Sequence, residues 1–281
     1  DVNTIANTTS GVVTATIISG AVASTLAAIT NIDASDVITF TTTDTSVDAS
    51  DLVALAVKVD TLGVNTVNTV TEVYNTASLG TVVVNALNIT GNTEAVIITS
   101  GSISSTDTNA IVNATSGIVT ATVSADTAAN LNTNLVNATA TDVLTLTVSA
   151  GSVAATDLTA LDNKTSVAVN AAAVTALIGT AAEIQAAYTA NTAGTISGLG
   201  NENISISDTG TLASSTITSL DVSTTGTITL NGAGSLVLTT TSGQILDLSG
   251  VTNSLSGTLS ITDSTGNETI TGTSANDTLT L

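Results

Sequence analysis

Apolar and polar positions alternate over short stretches of this chain. VITFT (37–41), AVIIT (95–99), VLTLT (143–147) and ISIS (204–207) place a large apolar residue at every second position. That is the period of a strand with one buried face. Each stretch runs into a Ser/Thr-rich segment that reads as a capped turn or short helix. A further strand follows, such as GVVTATI (11–17) or SVAVNA (166–171). Two segments carry helix signals. In SDLVALAVKV (50–59), Ser50 and Asp51 stand where they would cap a first turn, and in TAAEIQAAYTAN (180–191) Thr180 and Glu183 have capping-box spacing. Beyond about Thr225 the helix signals end, leaving short strands between Gly, Asn, Asp and Ser turns.

The strands belong to a repeat. NTTSGVVTAT from Asn7 returns as NATSGIVTAT from Asn113, an offset of about 106 residues. The same offset carries SDVITFT (35–41) onto TDVLTLT (141–147), SVDASDLVAL (46–55) onto SVAATDLTAL (152–161), and Lys58 onto Lys164. SISSTDTNAI (102–111) and TLASSTITSL (211–220) repeat the last of these segments at a shorter spacing, about 50 to 60 residues. The organisation read from this is a first repeat over 1–106, a second over 107–200, and an all-β segment over 201–281. The fold class expected is mainly β: a solenoid-like repeat protein with short helices in its first 200 or so residues. Tandem immunoglobulin-like sandwiches are the alternative for a period near 100 residues. Scarcity of aromatics favours the solenoid, whose narrow interior is filled by ladders of Val, Ile, Leu, Thr and Asn.

Composition narrows the chemistry. Among 281 residues there are 60 threonines and 22 acids but two lysines, no Arg, His, Cys, Met, Trp or Pro, and a formal net charge of −20. Without His or Cys there is no serine–histidine triad, cysteine nucleophile or thiolate metal site. Lys58 and Lys164 cannot neutralise a phosphate backbone, so nucleic acid is not an expected partner. A mean hydropathy of +0.50 argues against simple disorder. No apolar run approaches the roughly 18 residues of a membrane span, so membrane insertion is not expected. The chain opens on Asp1, with neither an initiator Met nor a signal segment, which reads as a processed form or an excerpt. The lack of cysteine suits export, and the expected location is extracellular or at a bacterial cell surface. Paired carboxylates for glycoside hydrolysis survive the filter, but small residues without aromatic walls are poor material for a shaped pocket. No enzyme is expected.

Oxygen-ligated Ca²⁺ also survives. GTSANDTLT (272–280) resembles the Gly/Asp-rich nonapeptide of RTX proteins, with Gly272, Asp277 and Leu279 on its first, sixth and eighth positions. One nonapeptide earlier Gly266, Glu268 and Ile270 fall on the fourth, sixth and eighth. Thr273 and Ala275 replace two of the pattern's glycines. The resemblance implies Ca²⁺ held by Asp277, Glu268 and turn carbonyls such as that of Gly272; the alternative is a plain Asn-Asp turn. A second candidate Ca²⁺ group is Asp44, Asp48 and Asp51 in a stretch crowded with Asp33 and Asp36. Its alternative is a set of solvated turn carboxylates, since the second repeat keeps only Asp142 and Asp157 from it. Thr39, Thr41, Thr43 and Thr45 share a strand face, as do Thr225, Thr227 and Thr229, and Thr269, Thr271 and Thr273. Flat threonine rows of this kind are the surface of solenoidal ice-binding proteins. N-x-S/T triplets at Asn7, Asn88, Asn113, Asn163 and Asn276 match glycosylation acceptors by pattern.

The segment 179–221 is similar in style to the repeats of very large Thr/Ala/Gly-rich bacterial surface proteins of cyanobacterial and marine type, many with RTX-type ends. That resemblance implies a surface-layer, adhesin or extracellular-fibre role. The function expected is therefore a self-assembling structural subunit, supported by Ca²⁺, with copies of itself as partners. An adhesin module that contacts cell-surface polysaccharide, or an ice binder, is the alternative. Segment 2–17 is the stretch expected to pair with a neighbour's open edge.

Overall fold

The computed structural model describes residues 1–73, 79–262, 268–275 and 277–280. In chain order the elements are α1 (Val2–Thr8), β1 (Thr14–Thr16), α2 (Val22–Ala28), β2 (Val37–Thr41), β3 (Ser46–Asp48), α3 (Ala49–Ala56), β4 (Thr61–Gly63), β5 (Thr69–Glu72), α4 (Leu79–Thr90), β6 (Ala95–Ile98), α5 (Ser105–Ala114), β7 (Val119–Thr122), α6 (Ala128–Asn134) and β8 (Val143–Thr145). There follow β9 (Gly151–Ala154), α7 (Ala155–Asp162), β10 (Val169–Asn170), β11 (Val174–Gly179), α8 (Ala181–Ala193), β12 (Ile196–Ser197), β13 (Asn203–Ile206), β14 (Gly210–Ala213) and α9 (Ser214–Asp221). The chain ends in strands: β15 (Ile228–Leu230), β16 (Leu236–Thr239), β17 (Ile245–Asp247), β18 (Val251–Asn253), β19 (Leu259–Thr262), β20 (Thr269–Thr271) and β21 (Asp277–Thr280).

The chain divides into two compact units, Asp1–Ser124 with Asn134–Thr145, and Ala125–Thr133 with Leu146–Leu281. The first holds sheets of order β1-β2-β4 and β3-β5-β6-β7-β8, and the second holds β9-β11-β13-β15-β18, β14-β16-β19-β21, β10-β12 and β17-β20. Every described ladder is parallel, and partner residues lie 22 to 27 positions apart, or 18 for β19 with β21. The elementary step is therefore a coil of strand, turn and, up to α9, helix.

Register stacks like on like. Val47, Val70, Val96 and Val119 form one buried row. In the second unit Val153, Leu177, Ile204, Ile228 and Val251 form another. Helices close the core from the other side: Leu52 and Leu55 of α3, Val83 and Leu87 of α4, and Ile111 of α5 are buried. Neighbouring helices pack on one another, α2 on α3, α3 on α4 and α4 on α5 in the first unit, and α7 on α8 on α9 in the second.

The expectation of a mainly-β solenoid is overturned, and with it the sandwich alternative. The fold is mixed α/β, about 30% helix and 30% strand, with nine helices among the described residues. A sandwich needs antiparallel sheets, and none of the described ladders is antiparallel. The helices are hard to see because threonine and β-branched residues favour strands as isolated residues. Tertiary packing overrides that preference. In LGTVVVNALNIT (79–90) the buried residues Leu79, Val83, Ala86 and Leu87 sit at helical spacing. Helical threonines also turn their hydroxyls back on the carbonyl one turn earlier, as Thr108 does to Ser104 (2.8 Å) and Thr133 to Ala129 (2.9 Å). Residues 2–17, read as strand for edge pairing, hold α1 before β1.

The two helices seen in the sequence are present. α8 has the expected capping box, Thr180 with Glu183. α3 begins two residues before the expected cap, on Asp48, which accepts the amide of Asp51 (3.1 Å). After α9 all described elements are strands. No described helix is long and apolar enough to cross a membrane.

Candidate functional site

The candidate Ca²⁺ ligands are engaged locally. Asp44 accepts the amide of Val22 (2.7 Å) and the hydroxyl of Thr42 (3.1 Å). Asp48 is the cap of α3, and Asp51 stands in that helix's first turn. At the other end Asp277 accepts the amide of Thr273 (2.6 Å) and its hydroxyl (2.9 Å), closing a turn over Gly272. Glu268 accepts the amide of Gly243 (3.2 Å), one strand step away. Gly266, Asn276 and Tyr74 lie outside the described residues. Among the described residues no three acids are grouped to hold a cation. The threonine rows break up as well: Thr43 and Thr45 lie beyond β2, Thr225 and Thr227 precede β15, and Thr273 follows β20. Across the strands Thr71 sits between Asp48 and Ile97, so that row mixes hydroxyl, charge and hydrocarbon. Thr16, Thr39 and Thr61 do align.

The structure brings out a group of buried acids, of which the sequence marks Asp36 and Asp142 only within the acid-rich stretch and its repeat. Asp36, Glu72, Glu94, Asp142 and Glu202 are buried, and each accepts backbone N–H groups that lack a ladder partner. Asp36 takes the amides of Val13 (2.8 Å) and Asp33 (3.3 Å). Its repeat counterpart Asp142 takes those of Val119 (3.0 Å) and Thr139 (3.0 Å). Glu72 reaches back to the amide of Ser50 (3.0 Å) and holds that of Val73 (2.9 Å). Glu94 holds Thr93 (2.9 Å), and Glu202 holds Gly200 (2.9 Å) and Asn201 (3.1 Å). A carboxylate only accepts, so it suits a corner where two donors converge. The signal for Asp36 and Asp142 was available in the paired SDVITFT and TDVLTLT motifs. Glu94 and Glu202 share a Gly-Asn shortly before them, in GNTEAVI (91–97) and GNENISI (200–206), whereas Glu72 lacks it.

Around two of these acids the corner is built twice. Thr115 and Thr224 donate their hydroxyls to the carbonyls of Glu94 and Glu202 (both 2.6 Å). The same hydroxyls accept the amides of Gly117 and Gly226 (both 2.9 Å). A Cβ on either glycine would overlap that same carbonyl, so only glycine lets the coils approach. Tyr188 of α8 donates its phenol to Glu202. Burial first, then the carboxylate, pushes the Tyr188 pKa well above its usual value. These acids serve as acceptors for backbone amides, and Asp36 also lines a small cavity of about 180 Å³ with Ala56, Lys58 and Asp60.

What remains open is backbone. Among the described strands β1 and β3 start their sheets with one partner each, and β18, β20 and β21 end theirs in the same way. Near β1 the apolar side chains Ile5, Val12 and Ile18 are exposed, Ile18 by 89%. Compared with protein-family models, curated proteins and solved structures, the chain matches none.

Proposed function

We propose that the protein is an extracellular structural subunit that assembles with copies of itself into a bacterial surface layer, sheath or filament. The observation that supports this reading is that each parallel sheet has terminal strands with a single described partner, β1, β3, β4 and β8 in the first unit and β9, β14, β18 and β21 among those of the second. Unpaired strand edges are templates for further pairing. The interior is suited to a mechanical role: rows of Val, Ile and Leu, with corner amides held by buried carboxylates. A charge of −20 with two lysines opposes close packing of copies, so assembly requires screening by salt or bridging by a divalent cation such as Ca²⁺. Electron microscopy and light scattering of the full chain, across NaCl and Ca²⁺ concentrations, test the reading. An ordered lattice or fibre at high salt or millimolar Ca²⁺ is expected. Monomers under every condition would refute it.

A further inference from the structure

We infer that the outer face of the five-stranded sheet β3-β5-β6-β7-β8 is a contact surface for the same face of a second copy. The inference rests on the assembly reading above and names the surface through which copies meet.

The described ladders of this sheet are all parallel. Parallel sheets are nearly always covered on both faces. Here α3, α4 and α5 pack against one face, over the buried row of Val47, Val70, Val96 and Val119. Alternate residues point to the opposite face. Register lines up Asp48, Thr71, Ile97, Thr120 and Val143 across it. Ile97, on the middle strand β6, is 38% exposed. Ile118, one residue before β7, is 49% exposed, and its carbonyl accepts the amide of Val96 (2.9 Å). Val73, one residue after β5, is 46% exposed. Neighbouring exposed aliphatics on a single flat face mark an interaction surface.

Charge identifies the occupant. The chain carries −20, yet Asp48, on the edge strand β3, is the one charged residue in that row. Other acids of the first unit lie at helix starts, as Asp51 and Asp107 do, or in the buried corners. A charged partner therefore finds almost nothing here to pair with. No aromatic ring stands among these residues on which a sugar could stack. A copy of the same face matches it in flatness and in lack of charge. A two-fold axis along β6 sets β3 of one copy over β8 of the other. Asp48 then lies over an uncharged strand, and no like charges are opposed. Sheets pair in this way about 10 Å apart, with strands within about 30° of each other.

Five strands of this length offer roughly 400 Å² on each copy. A stable pair buries about 800 Å² per partner. The contact is therefore weak singly and holds as one of several within an assembly.

The full chain has no cysteine, so an introduced thiol reports on its own position. In high salt, Ile97→Cys is expected to give a covalent dimer with a short bis-maleimide, whereas Asn85→Cys, exposed on α4, is not. Ile97→Lys is expected to weaken association at least tenfold by light scattering. It also lowers the net negative charge, so general repulsion alone would predict the opposite. Asp48 in the same row shows that the fold tolerates a charge there, and circular dichroism and melting temperature should stay near wild type. Thr120→Lys, outward on β7, repeats the test should Ile97→Lys unfold. Copies that assemble without the Ile97→Cys link and tolerate either lysine would overturn this inference and leave the assembly reading standing. Binding to microcrystalline cellulose that Ile97→Lys abolishes, with self-association unchanged, would overturn the second copy as occupant. A chain monomeric in every salt and Ca²⁺ condition would remove both readings.

Discussion

Asp142 is the strongest place to test whether buried carboxylates hold the coils together. It is 4% exposed and accepts the amide of Val119, on the neighbouring strand, and that of Thr139, three residues before it. Replacing it with alanine removes the acceptor of a buried N–H and of a partly buried one. A stranded buried donor costs about 1–3 kcal/mol, so Asp142→Ala is expected to destabilise by about 2–5 kcal/mol in total. Asp142→Asn keeps the volume and one acceptor oxygen but turns an NH₂ toward the second donor; about half that loss is expected, on the same per-donor cost. Exposed Asp221, changed to alanine, should stay within about 0.5 kcal/mol of wild type. Urea unfolding followed by far-UV circular dichroism gives the energies, and hydrogen exchange at the Val119 amide gives the local signature. Protection of that amide is expected to fall in both Asp142 variants. If both lose less than about 0.5 kcal/mol and Val119 stays protected, water satisfies these amides and the reasoning is wrong.

Other outcomes follow from the same geometry. Gly226→Ala and Gly117→Ala force a Cβ onto a carbonyl of the preceding coil and should each cost about 1–3 kcal/mol or more by melting, whereas Gly250→Ala, with open space around it, should be mild. Tyr188 has its pKa raised in the fold, so its contribution is complete below the unfolded value of about 10 and is lost as pH rises past it. Wild type should therefore lose more stability between pH 9 and pH 11 than Tyr188→Phe, read as urea midpoints; equal losses would contradict the assignment. Asp33 has its pKa lowered by hydrogen bonds from Ser35, so whatever it contributes is present above the usual carboxylate range and fades as pH falls through its folded value. Ser35→Ala should move the Asp33 carboxyl titration upward by carbon-13 NMR. Millimolar Ca²⁺ is expected to promote assembly more than Mg²⁺ does, and chelation to reverse it, both read by light scattering.

The sequence by itself determined the strands, their inward faces and the repeat. Alternation in VITFT and VLTLT marks Ile38, Phe40, Leu144 and Leu146, and all four are buried. A period of two is a local property that any strand with one buried face must obey. The capping box of α8 was legible for the same reason, since both partners lie within one turn. The long offset was legible because it is a property of the chain alone. Tertiary structure decided the rest. Whether a Thr- and Val-rich stretch such as 79–90 coils or extends depends on what its apolar face meets, and intrinsic preference is too weak to choose. The parallel sense of the ladders arises from the helix or turn that carries the chain back one coil of 22 to 27 residues, a step hidden under the longer repeat. The repeat marks Asp36 and Asp142 as equivalent positions, but nothing local to Asp36, Glu72, Glu94, Asp142 and Glu202 says that they are buried. They become structural only when folding leaves backbone amides at the corners without ladder partners, and a buried donor must find an acceptor.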